Sequence, residues 1–129
     1  MNKHKVWFDD EKGILFLKLS GTFTTADGER YIPEIERLYK DRDKHYLLCD
    51  LTDGGTELPT DKSYRKWLID MYERIGFNRI AMFNAKPSMR MLAKIVLAAA
   101  GKSNQVKFFS SHNDAVDWLK HPETVSAGK

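Results

Sequence analysis

The sequence predicts an α/β domain: a mixed, mostly parallel five-stranded sheet with four helices, in the order β-β-α-β-α-β-α-β-α. Three observations carry that expectation. Strand-like aromatic and aliphatic runs alternate with stretches whose apolar residues recur every three or four positions, the pattern of successive βα units. The first two strand-like runs are separated only by a short polar link, so one hairpin precedes the crossovers. The third run, His45-Tyr-Leu-Leu-Cys-Asp50, is nearly all apolar, as in a strand covered on both faces.

Lys5-Val-Trp-Phe8 and Ile14-Leu-Phe-Leu-Lys-Leu19 are the first two strands, and Gly13 ends the link between them where a left-handed residue suits a hairpin. Thr24, three residues before Asp27, has the spacing of a capping box and starts the first helix, with Ile32, Ile35, Leu38 and Tyr39 at helical spacing. Pro33 lies inside that helix and predicts a kink or an irregular first turn, because it removes one backbone donor. After the third strand, Leu51 to Pro59 reads as a loop. Tyr64, Trp67, Leu68, Met71, Tyr72 and Ile75 then form the clearest amphipathic stripe in the chain, stopped by Gly76. Arg79-Ile-Ala-Met-Phe83 is the fourth strand. Ser88 is expected to cap a third helix running to Gly101, and Val106-Lys-Phe-Phe109 is the fifth strand. Ser111 and Asp114 open the last helix, which ends at His121-Pro122. Residues 1–121 are expected to form one domain and 122–129 a flexible tail.

With 129 residues, of which 42 % are hydrophobic and 30 % charged, the chain has the composition of an ordinary globular domain. Its longest unbroken apolar run, Ile95–Ala100, falls far short of the ~20 residues of a membrane-spanning helix. With no leader-like apolar segment and a lone cysteine, Cys49, the expected location is cytoplasmic, with peripheral membrane association compatible. Charge is unevenly spread. Residues 1–58 hold 9 Lys/Arg against 12 Asp/Glu, whereas residues 59–107 hold 10 against 3. No acidic residue occurs between Arg74 and Asn113, a span with Lys86, Arg90, Lys94, Lys102 and Lys107, so an anionic partner is one reading and a merely solvated basic surface the other.

Enzyme signatures are absent: no phosphate-binding loop, dinucleotide turn, zinc-protease helix or nucleophile elbow occurs. The four histidines share no i, i+4 spacing, so no metal or cofactor is expected, and nothing points to nucleic acid. Asp50, Thr52 and Asp53 form a polar lip at the end of the third strand, where open α/β sheets place functional loops. Their ordinary role is to bond loop amides. An enzyme built from that lip with Asn84 and Lys86 is a competing reading. The third helix is the least ordinary element, since between Met89 and Ala100 only Arg90 and Lys94 are not apolar. A helical wheel puts Met89, Leu92, Ala93, Ile95, Val96, Ala99 and Ala100 on the core face. Arg90 and Lys94 fall opposite, with Met91 and Leu97 as apolar shoulders. That mixture suits an anionic amphiphile, a membrane surface or a protein partner.

In this order of elements the chain resembles the STAS fold, most closely its SpoIIAA-like branch, often grouped with Sec14-type lipid-binding domains. The residues that carry the likeness are Gly21-Thr-Phe-Thr24, Tyr46-Leu-Leu-Cys-Asp-Leu-Thr52, Arg79-Ile-Ala-Met-Phe83 and Val106-Lys-Phe-Phe109 with Ala115-Val-Asp-Trp-Leu119. Anti-sigma-factor antagonists of that fold carry Asp-Ser-Ser-Gly at the start of the second helix. Here Leu58-Pro-Thr-Asp61 stands there, with Thr60 at the position of the phosphorylated serine and the motif's aspartate, first serine and glycine missing. The resemblance supports the fold and leaves the partner open; the charge pattern and the third helix lead to the reading of a binding domain without catalytic activity, taking a small anionic or lipid-like ligand or a membrane along the second and third helices. Its alternative is a partner-switching regulator with Thr60 or Ser63 as the switch residue. A homodimer is compatible with either.

Overall fold

The computed structural model describes residues 4–54 and 62–121. Thr60 and the tail 122–129 lie outside them. The elements are β1 (Lys5–Asp9), β2 (Ile14–Gly21), α1 (Thr25–Tyr39), β3 (Tyr46–Gly54), α2 (Lys62–Ile75), β4 (Arg79–Phe83), α3 (Pro87–Ala99), β5 (Val106–Phe109) and α4 (His112–Lys120), with a 3₁₀ turn at Ser103–Gln105 before β5. The strands lie in the order β1-β2-β3-β4-β5; β1 pairs antiparallel with β2, and every other pair is parallel.

That order dictates the layers. The crossovers through α1, α2 and α3 all step the same way across the sheet, and right-handed crossovers then put all three helices on one face. There Leu15, Leu17, Leu47, Cys49, Ile80 and Met82 meet the buried faces of α1, α2 and α3 in the larger core. α4 follows the last strand without a crossover and covers the other face, packing Ala115, Trp118 and Leu119 on Leu48 and Ala81. Gly28 allows α1 and α2 their close approach: a Cβ there would stand 2.1 Å from the Trp67 ring.

The start of α1 is tied to the start of β1. Thr24 accepts the Asp27 N–H and Asp27 accepts the Thr24 N–H, a complete capping box. Buried His4 joins it, its Nδ1 accepting the Ser20 N–H at 3.0 Å and its Nε2 lying 3.1 Å from Asp27. Because Nδ1 accepts, the ring proton sits on Nε2 and is donated to the carboxylate. Both ring nitrogens are therefore engaged, so this dyad holds structure together and has no free base.

Four expectations need correction. The first turn of α1 is regular, because the complete capping box at Thr24 starts the helix at Thr25 and it runs through Pro33 to Tyr39. β3 does not stop at Asp50: Leu51–Gly54 continue the strand, pairing Asp53 and Gly54 with Ser20 and Gly21 of β2 after a register shift. Pro87 occupies the first turn of α3 with Lys86 at the N-cap, so Ser88 is not the cap. Finally, α3 is rotated from the expected wheel. Ile95 is 46 % exposed and Leu97 fully buried, so Ile95 is not core and Leu97 is not a surface shoulder.

The reason for the rotation lies in the two cations. Their heads stand 5.9 Å (Arg90) and 5.8 Å (Lys94) from the Phe108 ring of β5. Long basic side chains cover apolar surface with their stems. They therefore mark the border of the buried face, and a wheel that treats them as its opposite pole is turned too far.

Candidate functional site

The outer face of α3 is set by the turn before it. Asn84 adopts a left-handed backbone (φ 59°), its N–H donating to the Phe109 carbonyl at 2.9 Å and its Nδ2 to the Thr52 hydroxyl at 2.9 Å. The chain then enters α3 at Pro87, and the Arg90 Nε donates back to the Ala85 carbonyl at 3.1 Å. Arg90 is thereby held beside the loop, one turn before Lys94, with exposed Lys86 at the helix start. Next to these cations Met91 is 66 % exposed, and Ile95 lies one turn on. Ala98 and Ala99 continue the exposed strip. The face thus pairs an apolar ridge with a basic border. The helical wheel places Ile95 on the core face and so misses it as a surface residue; its i, i+4 spacing from Met91 is the signal the sequence offers.

Beneath α2 and α3 lies a small cavity of about 70 Å³, lined by apolar side chains that include Leu47, Cys49, Leu68, Met71, Leu92 and Val96. It is about half the ~150 Å³ that holds a benzene in an engineered core, so it has no room for an acyl chain with the helices as placed. Burial, with the neighbouring Asp50 charge, pushes the Cys49 thiol up to about 12, which leaves it protonated and inert. Tyr64, at the start of α2, is likewise pushed up to about 12, chiefly by burial.

The polar lip is assembled but occupied with itself. Asp50 Oδ1 accepts the Thr52 N–H at 2.9 Å and the Thr52 hydroxyl at 2.7 Å. Lys18 stands 3.8 Å from Asp50 and 3.6 Å from Asp53. These contacts match the ordinary role of such side chains. The acid-free segment is not one surface. Arg74 is paired with Glu36 of α1 at 2.8 and 2.9 Å, Arg79 donates to the Leu119 carbonyl at 3.2 Å, and Lys107 lies on the α4 side, 6.0 Å from the Trp118 ring. The basic site contracts to Lys86, Arg90 and Lys94. Ser63 is exposed in the first turn of α2. Among the described residues no group of three or more His, Cys, Asp or Glu could hold a metal ion, and no helix is long and apolar enough to cross a membrane.

Residues 14–120 match the family model described as SpoIIAA-like. In fold the chain is similar to the crystal structure of an uncharacterized protein of the DUF3478 family, with a SpoIIAA-like fold, from Shewanella loihica PV-4. The two share 20 % identity with a TM-score of 0.67, over 90 % of this chain and 91 % of that one. Comparison with curated proteins returned no match.

Proposed function

This chain belongs to the SpoIIAA-like family, and from that premise we propose that it is a binding domain without catalytic activity whose α3 docks on an anionic lipid surface. The observation that carries this reading is the exposed Met91–Ile95 ridge beside Lys86, Arg90 and Lys94. Cations next to apolar surface let a headgroup be paired while side chains enter the acyl boundary.

The magnitudes favour reversible docking. Three cations contribute about 3 kcal/mol at low salt, at roughly 1 kcal/mol each. Burying what is exposed of Met91 and Ile95 adds about 2–3 kcal/mol. The total of about 5–6 kcal/mol is an association constant on the order of 10⁴ M⁻¹, comparable to one myristoyl chain. The cavity is too small to add an acyl chain to that sum. An anionic amphiphile or a protein partner on the same face would use the same charges.

Vesicle co-sedimentation tests the reading. The protein should pellet with anionic vesicles at low salt, less at physiological salt, and hardly at all with neutral vesicles. Arg90→Glu/Lys94→Glu turns two attractions into repulsions and should weaken binding by roughly 10³-fold. Wild-type protein that ignores anionic vesicles at low salt, or a double mutant that binds equally well, refutes lipid docking. The regulatory alternative, switching through Thr60 or Ser63, instead predicts substantial phosphorylation at one of them in cells.

A further inference from the structure

The free edge of the sheet at β1 carries a second surface. β1 pairs only with β2 among the described residues, which leaves its outer backbone groups open to another strand. Beside that edge runs an open groove of about 610 Å³, lined by Val6, Trp7 and the α1 residues Arg30, Tyr31 and Glu34. Trp7 is 45 % exposed, stacked at 5.4 Å and nearly parallel on Phe16, its cross-strand neighbour in β2. α4 packs chiefly on β3, β4 and β5, and its His112 reaches the other side of this stack, 6.0 Å from the Phe16 ring.

Charge settles the occupant. Lys5 stands directly opposite Lys18 across the β1–β2 ladder, and Lys18 turns away to Asp50 and Asp53. Like charges directly opposed are unfavourable, and among the described residues Lys5 makes no ion pair within 4 Å, the Glu34 carboxylate of the same groove being paired with Arg37. The strand reads Lys5-Val-Trp-Phe-Asp9. Laid antiparallel on a copy of itself about Trp7, it sets Lys5 against the second copy's Asp9, Val6 against Phe8, and Trp7 against Trp7. Moving one or two residues one way sets Lys5 against Phe8 or Trp7, and moving the other way sets it against Asp10 or Glu11, which lie in the turn beyond the strand and shorten the ladder. Asp9 already accepts the Lys12 N–H and lies 3.3 Å from the Lys12 ammonium, but that is an exposed pair of small worth, and a carboxylate has room for a further donor. β5, the opposite edge, has Lys107 and no acidic residue, so it lacks this self-complementarity.

We propose that a second copy of this chain adds to the β1 edge, forming a two-fold dimer whose sheets join into one through antiparallel β1–β1 pairing centred on Trp7. A two-fold contact is self-complementary by construction, and this strand has that symmetry in its charges. The Trp7 rings extend the stack that each already makes with Phe16.

Sedimentation velocity on the full-length chain from micromolar to millimolar concentration tests it, with circular dichroism checking that each variant folds. Wild-type protein should shift from monomer to dimer as concentration rises. Lys5→Glu and Asp9→Lys should each raise the dimer dissociation constant roughly 100-fold, since two symmetric pairs become repulsive at once. The double variant Lys5→Glu/Asp9→Lys restores opposite charges and should recover most of the affinity. As a readout independent of charge, Trp7→Cys should form a disulfide-linked dimer on mild oxidation, because residues directly opposed on paired strands lie within disulfide reach, and Val6→Cys should not. A wild type that stays monomeric, single variants that dimerise undiminished, a charge swap without recovery, or cross-linking equally efficient at Val6 each overturns the proposal.

Discussion

Truncating two neighbours on α3 decides how the helix is turned. Leu97 is fully buried, and Ile95, two residues earlier, is nearly half exposed. Leu97→Ala removes three buried carbons, a loss of about 2.4 kcal/mol at roughly 0.8 kcal/mol each. The residual cavity adds about 1 kcal/mol if some 50 Å³ stays unfilled, at ~24 cal/mol per Å³. The expected cost is therefore about 3–4 kcal/mol. For a domain of this size it lowers the melting temperature by on the order of 10 °C or more. Ile95→Ala gives up only part of a burial and gains helix propensity, so its cost should stay below about 1 kcal/mol. Urea titration of both variants, with an unchanged slope confirming two-state unfolding, provides the comparison. If Ile95→Ala costs as much as Leu97→Ala, the helix faces the other way and the exposed ridge does not exist. Lipid docking would lose its basis with it. The same variants separate stability from binding: Ile95→Ala should weaken vesicle association several-fold, while Leu97→Ala should leave the binding of still-folded protein unchanged.

Gly28→Ala drives a methyl into the Trp67 ring, and this overpacking should cost about 1–3 kcal/mol, offset in part by up to about 1 kcal/mol of helix propensity; a red-shifted tryptophan emission would report the displaced ring, and unchanged emission with raised stability would contradict the α1–α2 contact. Asp27 should leave an acid signature. Burial raises its carboxyl, but the Thr24 backbone and side chain and the His4 ring outweigh that and hold it below the ordinary 3.8. The unfolded chain therefore takes up the proton first, so this contribution is full above pH 3.8 and is lost as pH falls through the lower folded value. Asp27→Asn should flatten that part of the urea midpoint against pH, and an unaltered acid limb would show that the pairing adds no pH-dependent stability.

Much of the architecture is local and so is legible in the chain. Gly13 and Gly76 have positive φ where a hairpin and a helix end require it, and Thr24 with Asp27 closes the expected capping box. These features depend on a few adjacent residues; which face each helix takes follows, through crossover handedness, from the spatial order of the strands, which the folded sheet sets. Tertiary structure decided the rest. The phase of α3 could not be read because nearly every residue between Met89 and Ala100 is apolar, and the two that are not fold over Phe108, which is distant in sequence. The basic run divided because Glu36, from α1, neutralises Arg74 across the helix pair. β3 outran its expected end because its last residues pair with β2 alone, a gain that no property of Leu51–Gly54 announces. Periodicity and capping depend on near neighbours, whereas helix rotation, charge pairing and strand length are settled by partners that only folding brings close.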